Sequence, residues 1–237
     1  MESSEGRAAA NHLLAAFPEA ILRKLTPHLE PITLRRGMIV HEPRRVTEYV
    51  YFPDRGLVSL VKAMRDGRTV EVGAVGIDGM TGIDRLLGLE PSTLETVVQI
   101  GGYGRRVKIT TLRTQLEKSR ELNALMLRYM SYRVNQLAQT AACNRLHTLR
   151  QRCCRWLLIA QDNVQAPTFA LTHEFLALLM GVNRPAVSLA IGTLQRRGLI
   201  RNRRALITVV NRQSLEQEAC ECYESLKRDS ERIRRHA

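Results

Sequence analysis

Between Glu174 and Glu216 the chain has no acidic residue, yet it carries seven arginines there: Arg184, Arg196, Arg197, Arg201, Arg203, Arg204 and Arg212. A solvated basic face would tolerate an occasional acid, whereas a phosphate backbone repels every one placed against it. The chemistry implied is recognition of a polyanion. Arg184 can offer a bidentate pair of donors to guanine O6 and N7. Ser188, one helical turn on, and Ala186, whose methyl suits a thymine methyl, are the other candidates for base edges. Thr172, His173 and Asn183 stand at expected helix starts, where hydroxyl, amide and backbone N–H groups suit phosphates. For Thr172 and Asn183, capping alone is an equal reading. Arg203 and Arg204 are expected at phosphates from the tip of a hairpin. Bond-making chemistry has no comparable support. The six histidines include no His-x-His pair, and no Walker loop, nucleophile elbow or Cys-x2-Cys is present. An enzyme is not expected.

The elements that must hold these residues can be read around them. Thr172 is a good N-cap for a helix over 173–180, and Gly181 supplies a turn at positive φ. Asn183 caps a second helix with Pro185 in its first turn, and Gly198 ends it. Ala177 lies four residues before Gly181, which allows close helix approach. Val187 lies six after it, inside the second helix, and pins the two together. This is the spacing of a helix-turn-helix. Gly198-Leu-Ile-Arg, Asn202-Arg-Arg-Ala and Leu206-Ile-Thr-Val-Val follow as a basic-tipped hairpin, a wing. Upstream, a helix over 146–161 carries Leu149, Cys153, Trp156, Leu157 and Ala160, with Trp156 in the core. Over 111–144 Leu127, Met130, Val134, Leu137 and Ala141 recur at steps of three and four, a seam for a second copy of the chain or for burial of the helix on two sides within one chain. Leu122, Leu125, Met126 and Tyr129 form another face. Over 32–108 short β-type runs alternate with glycines: 37–41, 49–52, 56–61, 69–75, 96–100 and 106–109. Asp66-Gly67 marks a hairpin. A short helix is expected over 13–29, and residues 1–12 are expected to fray.

The expected fold class is α+β: an N-terminal antiparallel barrel or sandwich at 13–110, a long dimerisation helix at 111–144, a C-terminal winged helix-turn-helix at 145–222 and a basic tail at 223–237. The balance of charge agrees. Net charge is +13 over 237 residues, and from Cys143 onward 16 Lys and Arg face 8 Asp and Glu. Five cysteines, none before Cys143, and no secretory pattern argue against a disulfide framework. Apolar runs such as Trp156-Leu157-Leu158-Ile159-Ala160 are too short to span a membrane. A cytoplasmic location and no membrane partner are expected.

This order of parts resembles the Crp/Fnr family of bacterial regulators over about residues 17–222, most specifically at 171–199, where Thr172, Gly181, Arg184, Val187 and Gly198-Leu199-Ile200 match. Gly37, Gly56, Gly67, Gly76 and Gly82 suit the turns of the family's β-roll. The resemblance implies a homodimer on a pseudo-palindromic site in double-stranded DNA, and contact with RNA polymerase. The departures bear on the effector. Cyclic-nucleotide-binding members carry Gly-Glu-Leu followed by Arg-Ser or Arg-Thr; here the matching stretches read Gly82-Ile83-Asp84 and Pro91-Ser92-Thr93-Leu94-Glu95-Thr96, and no arginine occurs at 86–103. A buried phosphate without its cation is costly, so tight cAMP binding is not expected. With no cysteine before Cys143 the N-terminal iron–sulfur cluster of the oxygen sensors is not expected, and isolated His28 and His41 do not suggest haem. No metal ligand is expected. Pro185 and Leu189 stand where the family often has Glu and a second Arg, so the base preference should differ from that of the cAMP receptor protein. An alternative is a sensor whose β-roll binds an unidentified small molecule. Redox sensing by Cys220-x-Cys222 or Cys153-Cys154 is a weaker one, since Glu218, Glu221 and Glu224 would hold a thiol pKa up.

Overall fold

The computed structural model describes residues 11–88 and 92–235, with side chains to 232. The frayed reading of residues 1–10 and the reading of Pro91 lie outside these. Asn11 is buried rather than frayed: its Nδ2 donates to Pro53 O and Gly79 O, each at 2.8 Å, and its Oδ1 caps α1 (His12–Ala15). Pro18 then opens α2 (Glu19–Leu25), and Thr26–His28 form a 3-10 turn.

Five antiparallel strands form the N-terminal sheet: β1 (Glu30–Leu34), β2 (Ile39–His41), β3 (Tyr49–Ala63), β4 (Thr69–Val75) and β5 (Glu95–Lys108). Their order is β1-β5-β3-β4, with β2 also on β5. The runs at 49–52 and 56–61, expected as separate strands, are one strand, as are those at 96–100 and 106–109. Glycine is the reason. Gly56, at φ +101°, sits among the register shifts of β3 and is a bulge residue, not a turn residue. Its partner strand comes so near that a Cβ on Gly102 would meet Arg55 O at 2.0 Å. The long strands therefore bend without ending. The Asp66-Gly67 hairpin joins β3 to β4 as expected, with Ala63 opposite Thr69.

After α3 (Ile83–Leu86) and β5, the expected single helix is two, α4 (Ile109–Lys118) and α5 (Arg120–Leu146). The break is Ser119, extended at φ −128°, ψ 111°, whose hydroxyl accepts from Leu122 N and caps the longer helix. On α5 Leu122, Leu125, Met126 and Tyr129 are buried against Phe17, Phe52, Met80 and Leu112, which share one core with α1 and α2. The opposite stripe faces out: Leu127 is 62% and Val134 58% exposed, with Leu137 and Ala141 also exposed and Met130 half-buried.

The C-terminal part comprises α6 (Leu149–Val164), β6 (Thr168–Ala170), α7 (His173–Met180), α8 (Arg184–Arg196), β7 (Ile200–Arg203), β8 (Leu206–Val209), α9 (Arg212–Glu218) and α10 (Cys222–Arg235). Thr148 and Gln151 form a capping box that starts α6 two residues after α5 stops. Cys153 and Cys154 are both fully buried, because α6 is covered on several sides. The expected basic tail is a correction. Residues 222–235 form α10, which packs on α5 and α6 through buried Cys222, Tyr223 and Leu226.

Candidate nucleic-acid interface

Local hydrogen bonds shape the helix-turn-helix. Thr172 Oγ1 accepts from Phe175 N at 3.2 Å and Asn183 Oδ1 from Ala186 N at 2.9 Å, so both residues serve as the expected caps. Gly181 takes φ +63°, and the chain turns by 110° between α7 and α8. Leu176, Ala177, Leu179 and Met180 of α7 share a core with Val187, Ala190, Ile191 and Leu194 of α8 and with Trp156 and Leu157 of α6. Arg152, unmarked in the sequence reading, reaches from α6 and donates to Met180 O at 2.7 Å. Its buried guanidinium satisfies a last-turn carbonyl of α7 that has no partner within the helix.

On the outer side Arg184, Pro185 and Leu189 are exposed, Ala186 is half-exposed and Ser188 is half-buried. His173, expected at a phosphate, is held by two side chains in the fold. Its Nδ1 lies 2.9 Å from Ser188 Oγ and its Nε2 2.6 Å from Asn202 Nδ2. Burial and the nearby Arg184 cation lower its pKa, which favours the neutral ring. Asn202 donates to Nε2, and the proton on Nδ1 goes to Ser188. With both nitrogens engaged, His173 ties the recognition helix to the wing and turns the Ser188 hydroxyl towards α7.

The wing is a tight hairpin. Arg204 and Ala205 both lie in the left-handed region, φ +50° and +61°, the requirement of a two-residue turn matched to strand twist. Arg203 and Arg204 are exposed at its tip. Thr172, Glu174, Arg184, Asn202 and Arg204 line a shallow hollow between the starts of α7 and α8 and the wing. The acid-free run is only partly one surface. Arg197 pairs with Glu218 at 2.6 Å, and Arg212 pairs with Asp162 at 2.8 Å and Glu216 at 2.9 Å, away from this face. Arg196, Arg201, Arg203, Arg204 and Arg184 remain exposed.

Two features of the β-roll bear on this interface. Between the sheet and α5 lies a cavity of about 140 Å³, lined by Leu60, Thr81, Asp84, Arg85, Met130 and Val134 among others. Arg85, one position before the arginine-free stretch, is buried; its guanidinium donates to Glu42 O at 3.1 Å and to the Thr47 hydroxyl. His41 is also buried, with Nε2 2.9 Å from Thr81 Oγ1, and burial holds its pKa down near 3, so it packs as a neutral ring.

The second feature is the contact between the β-roll and the helix-turn-helix part. Trp156 Nε1 donates to Glu71 Oε1 of β4 at 3.3 Å, and the Ser59 hydroxyl donates to the other oxygen. Burial pushes the Glu71 carboxyl up to about 7, against the pull of Ser59, Arg155, Trp156 and Arg133. A carboxyl whose folded pKa exceeds its unfolded one keeps a proton in the native state. Its contribution is therefore complete below about 4.5 and is lost as pH rises through about 7. Emission from Trp156, the sole tryptophan, should titrate with a midpoint near 7, and Glu71→Gln should flatten the curve. A pH-independent wild-type signal would contradict this coupling.

Comparison with known proteins agrees with the geometry. Residues 151–218 match the Crp-like helix-turn-helix domain. No curated protein matches the chain in sequence. Among solved structures, FixK2 from Bradyrhizobium japonicum is 19% identical with a TM-score of 0.67, over 81% of this chain and 98% of that one. A CRP-family transcriptional regulator from Thermus thermophilus is 20% identical with a TM-score of 0.65, over 79% and 96%. The c-di-GMP-responsive global regulator CLP of Xanthomonas campestris is 17% identical with a TM-score of 0.61, over 81% and 99%. The chain has the fold of the Crp/Fnr regulators, and residues 151–218 of it form a Crp-like helix-turn-helix domain.

Proposed function

We propose that two copies of the chain bind a pseudo-palindromic duplex, pairing through Leu127, Met130, Val134, Leu137 and Ala141 and reading each half-site with α8. The carrying observation is the exposure of Arg184 at the start of a helix that stands proud of its core, while an apolar stripe on α5 is left facing out. Arg184 reads a guanine, Ala186 lies along the groove, and Ser188, held by His173, has one remaining lone pair for a base. Thr172 and Asn183 present the helix starts to phosphates; Arg203 and Arg204 do so from the wing. RNA polymerase is the further partner, and the cytoplasm is the place where both partners are found.

The protein binds without cAMP, haem or an iron–sulfur cluster. In support, the Arg85 guanidinium is already engaged by Glu42 O and Thr47, and the β-roll cavity is well below the roughly 300–1,000 Å³ usual for small-molecule sites. The same cavity, walled by α5 residues of the pairing stripe, favours a second reading in which a small effector shifts the pairing.

Selection from a random duplex pool at fixed salt tests the main reading. Wild-type protein should enrich a pseudo-palindrome without added ligand. Arg184→Ala should lose preference at one base per half-site, by about 1–3 kcal/mol or roughly 5- to 150-fold. Enrichment only when metabolites are added would favour the effector reading. Uniform, salt-sensitive binding by both proteins would sink sequence-specific regulation.

A further inference from the structure

Cys143, Cys220 and Cys222 are buried together in a small cluster of their own, apart from the aliphatic core that takes Cys153 and Cys154. His147 stands beside them. Cys143 lies on the last turn of α5, and His147, four residues on, is the C-cap, its N–H donating to Cys143 O at 3.2 Å. Cys220 and Cys222 lie where α9 gives way to α10. The ligand atoms of all four lie within 4.8 Å of one another. Cys143 Sγ is 3.5 Å from Cys220 Sγ, and Cys222 Sγ is 3.6 Å from His147 Nδ1.

We propose that these four residues form a closed tetrahedral site for a single zinc ion, which fastens α10 to the end of the pairing helix. With Zn–S near 2.3 Å and Zn–N near 2.0–2.1 Å, a tetrahedron has edges of about 3.8 Å between sulfurs and about 3.5 Å between sulfur and nitrogen. The two contacts above already approach those edges. An iron–sulfur cluster spreads its cysteine sulfurs around several irons, much further apart than these atoms lie. Three thiolates and an imidazole with no open position are the donors of a structural zinc site.

The surroundings support the same assignment. His147 Nε2 lies 3.2 Å from the Glu221 carboxylate, which holds the ring proton on Nε2 and leaves Nδ1 as the ligand. Gln139 Nε2 donates to Cys222 Sγ at 2.9 Å, a bond that suits a thiolate. The position also has a consequence. His147 is the C-cap of α5 and Thr148 the N-cap of α6, so the ion sits at the joint between the pairing helix and the DNA-reading domain. Binding free energy at such a site becomes folding free energy for the elements it joins. The sequence could not suggest it, because Cys-x-Cys alone is a weak pattern and Cys143 is 77 positions away from Cys220.

The test uses the full chain, purified under reducing conditions and reconstituted with zinc, its metal content measured by mass spectrometry. About one zinc per chain is expected, and Co²⁺ in its place should give thiolate charge-transfer and tetrahedral d–d absorption. Glu221→Gln keeps all four ligands and should weaken zinc by about 10- to 100-fold in chelator competition. Cys220→Ser should lose the cobalt spectrum. If that variant fails to fold, the wild-type stoichiometry and the Glu221→Gln affinity decide. Less than a tenth of an equivalent of zinc, bound iron with inorganic sulfide, or a Cys143–Cys220 disulfide that persists under reduction would each overturn the assignment.

Discussion

Leu127→Glu together with Val134→Glu is expected to give a folded monomer whose affinity for a full pseudo-palindromic site falls by about 100- to 10,000-fold, the gain that linking two half-site contacts supplies. Both side chains are more than half exposed in the single chain, so glutamate there costs its fold little. In a pair of helices the same positions would be covered, and unpaired carboxylates in that seam would prevent pairing. Sedimentation should show half the mass of the wild type, and anisotropy with half-site and full-site duplexes should give nearly equal affinities. Arg184 would still favour its base in the half-site. A variant that remains dimeric would move the pairing surface off α5. Leu125→Glu, on the buried face, should instead unfold the N-terminal core.

Tyr129→Phe is expected to destabilise the chain by about 2–6 kcal/mol, although it deletes one oxygen atom. That hydroxyl accepts from Met80 N and donates to Met80 O, each at 2.9 Å, where all three groups are buried. Phenylalanine would leave both backbone groups of Met80 without partners, at about 1–3 kcal/mol each. Space is tight as well, since a Cβ on Gly79 would stand 2.4 Å from the hydroxyl. Urea unfolding should show a lower midpoint with an unchanged slope. Tyr132→Phe, on the same helix and half-buried, is the control and should cost much less. A shift below about 0.5 kcal/mol would mean that the Met80 groups find other partners. The pair joins α5 to the segment between β4 and α3, so it also couples the β-roll to the helix proposed to pair.

The parts that the sequence determined are those built from bonds between near neighbours. Thr172, Asn183 and Thr148 cap the helices that follow them within three residues. Gly181 turns the chain where only a residue without Cβ does so without strain. The two faces of α5 follow from steps of three and four. Such features need no loop to close, and residue type alone decides them. What the tertiary structure decided depends on residues far apart in the chain. Gly56 and Gly102 turned four expected strands into two long bent ones because each is crowded by the other strand, not by its own neighbours. His173 became a strut between helix and wing because folding brought Asn202 to it. Arg197 and Arg212 left the basic face because Glu218, Glu216 and Asp162 came back to meet them. Glu71 met Trp156, and four scattered ligands converged at the end of α5. In most of these cases the deciding contact, whether steric crowding or the pairing or desolvation of a polar group, comes from a partner tens of positions away, and a pattern of types along the chain carries no record of that partner until the core has closed around it.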